Sequence, residues 1–200
     1  MDTSLQVGFS QRIQLPWLEY TAQLALAGKT RAEVNAALQE HLQDKLSVGH
    51  QVKRGNREKA ITILLKTWLN PSRSLESLRD EGLELFQRQP SRAHLVLHWG
   101  MSAAAYPFFC SVAAVVGKLL RLQEQIGTSQ VQRRIREQLG ERETVARAAR
   151  RIYRSFIDWG VLSETATKGV YEKATAIHIA DTHVAGWLFE CVLRANGQGW

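Results

Sequence analysis

The chain has 200 residues, 44% of them hydrophobic and 22% charged. That length and balance suit one domain or two small ones, with a core that needs no disulfide or metal staple, and they exclude a disordered chain. The net charge of +7 favours an anionic partner. It is gathered in two stretches: ten basic residues against four acids from Lys118 to Arg154, and six against one from Lys45 to Lys66. A polyphosphate-binding surface needs patches of this kind.

The N-terminus, MDTSLQVGFSQ, has no apolar run of a secretory signal, and the first ten residues read as loosely ordered. A helix is expected from Pro16 to Ala27, stopping at Gly28. Thr30-Arg31-Ala32-Glu33 is a capping box that opens a second helix, with Val34, Leu38, Leu42 and Leu46 on its apolar face. Ser47 to Gly55 reads as a basic, polar connection. Asn56 is placed as the cap of a third helix, with Ile61, Leu64, Leu65 and Trp68 inward and Asn70-Pro71 at its end. A fourth helix is expected over Ser74–Gln87, a fifth from Ser91 to Ala105 and a sixth from Pro107 to Gln125.

Nineteen uncharged residues between His98 and Lys118 are long enough to cross a bilayer. Pro107 in mid-run fits the first position of a new helix. Two buried helices are therefore expected, and no membrane partner. Cys110 and Cys191 lie in apolar surroundings without metal-ligand or redox spacing. They read as buried thiols of a reducing, cytoplasmic compartment.

The stretch from Thr128 to Leu162 is the most specific. Ser129 is placed as the cap of a helix, with Gln132 at the capping-box position and Val131, Ile135 and Leu139 on one face, ending at Gly140. Thr144 is placed as the cap of the next helix, which closes at Gly160. Val145, Ala148, Ala149, Ile152, Phe156 and Trp159 form its buried face, and Arg147, Arg150, Arg151 and Arg154 the opposite one. Val161 to Ala174 reads as a β-hairpin, and a last helix is expected over Ala180–Ala195. The end, Asn196-Gly-Gln-Gly-Trp200, reads as a connection that continues or packs on a partner. A helix, a turn, an arginine-faced helix and a hairpin form the pattern of a winged helix-turn-helix. The expected fold is thus mainly α: a helical region over 1–90 with a basic loop, then a winged-helix region over 91–200 with a short β-hairpin wing.

With those residues in place, the chain resembles the BrxA family, the small helical component of BREX phage-defence systems. The likeness is carried by the basic segment Val52-Lys53-Arg54-Gly55-Asn56-Arg57, by Trp99 followed by Tyr106-Pro107-Phe108-Phe109, and by Gly117-Lys118-Leu119-Leu120-Arg121-Leu122. Its most specific part is the run from Arg133 to Leu162, with Arg133-Arg134, Arg142-Glu143-Thr144, Arg150-Arg151 and Asp158-Trp159-Gly160-Val161-Leu162. The resemblance implies a non-enzymatic DNA-binding member of a defence locus, with partners such as a methyltransferase or an ATPase that do the chemistry. It also keeps a NusB-like RNA-binding role open.

Each expected contact has a role. Arg147 and Arg151 are placed in the groove, able to donate bidentately to guanine, and Arg150 and Arg154 on the DNA backbone. Thr144 and Arg142 lie at a helix N-terminus, where backbone amides suit phosphate. Arg133, Arg136, Lys168 and Lys173 are further phosphate contacts. The ordinary meaning of such a face is a solvated one; it is read here as lacking acids one turn from Arg147, Arg150 and Arg151, which favours an anionic partner. The second patch, Lys53, Arg54, Arg57 and Lys59, reads equally as a solvated loop or a second phosphate site.

Trp68, Trp99, Trp159 and Trp187 read as core rather than stacking platforms. His94 and His98 stand four apart but lack the zinc-protease pattern and an evident third ligand. Asp181, between His178 and His183, is more simply a helix cap. No nucleotide-binding glycine loop, nucleophile elbow or apolar carboxylate pair is present. No enzyme, cofactor or metal is expected, and an assembly adaptor is the other functional alternative.

Overall fold

The computed structural model describes residues 7–46 and 55–197. It is mainly helical, with one small three-stranded antiparallel sheet. The chain enters as an extended strap over residues 7–14, and this strap is packed rather than loose. Phe9 and Ile13 are fully buried. The Phe9 ring meets Tyr106 edge-on at 5.4 Å and Phe109 at 5.1 Å. Ser155 Oγ accepts from the Ile13 N–H at 2.9 Å, and Trp159 Nε1 donates to the Ile13 carbonyl at 2.8 Å. These two large apolar side chains, just ahead of the first helix, fix the segment.

α1 (Leu15–Leu26) carries Pro16 in its first turn and is closed by Gly28, whose φ of 67° lets the Gly28 and Lys29 amides turn back to the Ala25 and Leu24 carbonyls. α2 (Arg31–His41) begins with the expected capping box, Glu33 Oε2 accepting the Thr30 N–H at 2.8 Å. α3 (Asn56–Trp68) starts one residue earlier than expected. Gly55 is its cap, with its N–H donated to Glu58 at 3.2 Å, and Asn56 is the first helical residue. A one-turn 3₁₀ helix (Arg73–Leu75) leads into α4 (Glu76–Arg88).

α5 (Ser91–Ala105) and α6 (Pro107–Leu122) meet at 118° across Tyr106. This is the break expected at Pro107. Among the described residues no single helix is long and apolar enough to cross a membrane.

After α6 comes a strand that the sequence pattern did not reveal, β1 (Gln125–Gly127), then α7 (Thr128–Leu139) and α8 (Glu143–Asp158). β2 (Leu162–Glu164) and β3 (Val170–Lys173) form the expected hairpin. β1 pairs with the other edge of β3, Ile126 opposite Tyr171, so the sheet order is β1-β3-β2. Gly169, with φ 81°, turns the hairpin so that its carbonyl receives both the N–H and the hydroxyl of Thr128, at 3.0 and 3.2 Å. The hairpin is thereby stitched to the first residue of α7.

α9 (Thr182–Gly197) starts after Asp181, which accepts the His183 N–H at 2.8 Å as a helix cap. It crosses back onto α4 and α5. The crossing is close: a Cβ added at Gly100 would lie 2.6 Å from the Trp187 ring, and one at Gly82 2.7 Å from it. Trp187 Nε1 donates to the Leu78 carbonyl at 2.8 Å. One apolar core runs from Phe9 to Cys191 and includes residues on both sides of the boundary read near residue 90. Trp68, Trp159 and Trp187 are buried in it, and half-buried Trp99 packs against Phe109, Phe156 and Trp159.

Candidate nucleic-acid interface

α7 and α8 are strongly two-faced. Val131 and Ile135 of α7 are buried, and Arg133, Arg134 and Arg136 are exposed. On α8, Val145, Ala148, Ala149, Ile152 and Phe156 are buried as expected. Apolar residues at three- and four-residue spacing fix which side faces the core, and so which side carries the arginines. The exit of α8 is also as expected. Gly160, with φ 70°, lets its own N–H reach the Ile157 carbonyl at 3.0 Å and the Val161 N–H reach Phe156 at 2.9 Å.

The helix entries differ from expectation. α7 follows Gly127 with no side-chain cap, and Ser129 sits inside its first turn. α8 follows Arg142, and Thr144 is an exposed residue of its first turn that caps nothing.

The arginines fall into three groups. Arg147 is exposed, but its Nε lies 3.6 Å from Glu143, one turn away. The expected lack of an acidic partner is therefore wrong for Arg147. Glu137 similarly takes Arg134 at 2.8 Å and Arg133 at 3.7 Å. Arg151 is half-buried and donates to the Ser10 carbonyl, which takes it off the open face: it fastens the strap instead of reaching a groove. Arg136, Arg150 and Arg154 are exposed and, among the described residues, have no ion-pair or hydrogen-bond partner. Arg142 and Lys168 are exposed as well.

These three open arginines border one feature. A cleft of about 860 Å³ is lined by Thr128, Gln132 and Arg136 of α7 and by Arg150 and Arg154 of α8. Ser129, Arg133, Glu137 and Glu141 complete its rim. Gln132 is only 8% exposed, and its Oε1 is buried with no hydrogen-bond partner. The Tyr153 hydroxyl is also buried, beside Thr128; burial pushes its pKa up, so it stays neutral. Arg154 borders a second hollow of about 540 Å³ between α8 and the hairpin turn, together with Arg12 and Lys168. Arg12 is held there by an ion pair with Asp158. The basic surface thus continues from α7, over α8, to the hairpin.

Sequence reasoning marked Gln132 only as the partner of Ser129 in a capping box, which does not form, and it missed Arg12. Arg12 is recruited by the fold across 146 positions.

The second patch behaves differently. Lys53 and Arg54 lie outside the described residues. Arg57 is not free for phosphate: it donates to the Leu46 carbonyl at 3.3 Å and to the Gln43 carbonyl at 3.2 Å, closing the end of the α2 segment. Lys59 is half-buried on α3. The strap connects this region to α8, since Gln11 donates to Asn56 at 3.3 Å while its neighbour Arg12 holds Asp158.

His94 and His98 meet Glu19, whose two carboxylate oxygens lie 3.0 Å from His94 Nδ1 and 3.0 Å from His98 Nε2. Trp68 Nε1 donates to His98 Nδ1 at 3.0 Å, which leaves the proton of neutral His98 on Nε2, facing Glu19. The network is satisfied internally. Among the described residues no group of three or more side chains is placed to hold a metal. Burial lowers the His98 pKa, and the hydrogen bond from His98 lowers that of Glu19.

Compared with protein-family models, with curated proteins and with solved structures, the chain shows no match.

Proposed function

We propose that this chain is a non-enzymatic nucleic-acid-binding protein that takes duplex DNA on the surface formed by α7, α8 and the β2–β3 hairpin. The observation that carries this reading is that Arg136, Arg150 and Arg154, from two helices, stand around one cleft with no carboxylate partner. Like charges one turn apart repel by a few tenths of a kcal/mol per pair. A polyanion relieves that repulsion and gains from counterion release.

The element order supports reading the region as a winged helix. α6, β1, α7, α8, β2 and β3 follow in that order, and the sheet order is β1-β3-β2. In that reading α8 is the recognition helix, α7 crosses the DNA backbone, and the hairpin is the wing that carries Lys168. Arg147 faces the groove, while Arg133, Arg136, Arg142, Arg150 and Arg154 contact phosphate. The run from Arg133 to Leu162 resembles the BrxA family, which supports a place in a phage-defence complex beside a methyltransferase or ATPase. Structured RNA of the NusB type is the competing ligand.

One observation favours a second reading, an assembly adaptor. Phe189 and Leu193 are exposed one turn apart on α9, at 66% and 53%. An apolar pair of this kind fits a protein partner better than a nucleic acid.

The test is a binding titration of the purified chain with duplex DNA, single-stranded DNA and RNA at two salt concentrations. The DNA reading expects duplex binding whose logarithm falls with log salt by about 0.9 per phosphate neutralised. Tighter binding of RNA, or no binding with partner capture after nuclease treatment, selects the other readings.

A further inference from the structure

We propose that the α7–α8 cleft is a discrete phosphate seat, in which one phosphate group lies between Arg136 of α7 and Arg150 and Arg154 of α8, over the Gln132 amide. The nucleic-acid reading above enters only in naming one source of that phosphate.

Gln132 is the residue that sets this cleft apart from a merely basic surface. Its neighbours on the inward side of α7, Val131 and Ile135, are apolar and buried. An apolar side chain in its place would satisfy the packing. An amide there leaves a buried acceptor without a donor, and buried polar groups of folded proteins are as a rule bonded. The amide Nε2–H can donate to a phosphate oxygen, whereas the buried Oε1 only accepts and does not meet the anion.

The rim matches. Guanidinium groups present planar forks suited to phosphate oxygens. Three of them line the cleft from two helices without an ion pair of their own, and Glu141 is a further carboxylate on the rim. Arg133, the fourth arginine of the rim, is turned to Glu137. α7 opens on the cleft with Thr128 and Ser129 and no side-chain cap. The positive end of its dipole therefore favours an anion at that spot. The volume, about 860 Å³, falls in the range of small-ligand sites. It takes a phosphate together with the sugar that bears it. The ligand class is thus a phosphate ester, either in a nucleic-acid backbone or as a free nucleotide.

The test is NMR on the whole chain, following the Gln132 side-chain amide and the arginine Nε–H signals during titration with pyrophosphate, then a deoxynucleoside monophosphate, then a duplex oligonucleotide. Pyrophosphate is expected to move Gln132, Arg136, Arg150 and Arg154 but not exposed Arg92 on α5. Gln132→Leu, an apolar replacement that the buried face accepts, is expected to weaken pyrophosphate about tenfold, the effect of one lost hydrogen bond. Arg150→Gln is expected to weaken it at least as much. No movement of Gln132, or equal movement of Arg92, overturns the seat. If duplex DNA displaces pyrophosphate, the backbone is the source and both readings stand. If the small phosphates bind and duplex DNA does not, the seat stands and the nucleic-acid reading falls. If duplex DNA binds while Gln132 stays unmoved by every probe, the seat falls and the nucleic-acid reading stands.

Discussion

The guanidinium of Arg151 donates a hydrogen bond to the carbonyl oxygen of Ser10, 141 positions away. It does so on the same helix from which Arg150 and Arg154 face open solvent. Neighbouring arginines in one charge run therefore have different work: one closes the fold, the others remain available to an anion.

Arg151→Ala removes that closure. Loss of one charge-assisted hydrogen bond at a half-buried site is expected to cost about 1.5–3 kcal/mol. Urea denaturation should register this loss. DNA affinity, measured where the variant is folded, should change less than for Arg150→Ala.

Glu143 restrains Arg147 and adds a negative charge beside the basic surface. Glu143→Gln is expected to tighten duplex DNA binding by about two- to fivefold at moderate salt, the scale of one exposed ion pair. Fluorescence anisotropy with the wild type alongside would measure it. Weaker binding would place Glu143 among the contacts instead.

Gly100 is where α5 lets the Trp187 ring approach. A Cβ 2.6 Å from a rigid indole atom has no soft neighbour to displace. Gly100→Ala is expected to destabilise by about 1–3 kcal/mol, an overpacking cost. The expected readout is a lower urea midpoint with an unchanged m-value.

The buried Glu19–His98–Trp68 network sets a pH dependence. Burial lowers the His98 pKa in the folded chain. Below the ordinary value of 6.5 the unfolded chain binds a proton that the folded ring refuses, so stability falls as pH drops through that value. The Glu19 pKa is also lowered, so its contribution is present above the ordinary 4.5 and is lost as pH falls further. Both effects have the same sign: the chain is expected to be more stable at pH 8 than at pH 5. His98→Gln should flatten the upper part of that curve, which denaturation at several pH values would reveal. A variant curve identical to the wild type would remove His98 as the cause.

Much of the fold was legible in the sequence because its signals are local. The Thr30 capping box, the break at Pro107, the buried faces of α7 and α8 and the glycine stops at 28 and 160 each depend on residues within a turn or two. The three-residue β1 has no pattern of its own and exists because β3 offers an edge. The site was half legible. The arginine stripe could be read from spacing, and so could Glu143, four residues before Arg147. The diversion of Arg151 to Ser10 and of Arg57 to Gln43 and Leu46 could not, because the chain must fold before those carbonyls are near. Gln132 lies between an apolar and a basic face, and only the cleft gives it meaning.

The most direct measurement is the salt dependence of duplex DNA affinity for the wild type and for Arg136→Gln/Arg150→Gln/Arg154→Gln. If these arginines neutralise three phosphates, the slope of log K against log salt should be shallower in the triple variant by about 2.7, from about 0.9 per contact. Thermal unfolding should be unchanged. Equal slopes for the two proteins, or wild-type affinity that does not respond to salt, would contradict the assignment of this surface to nucleic acid.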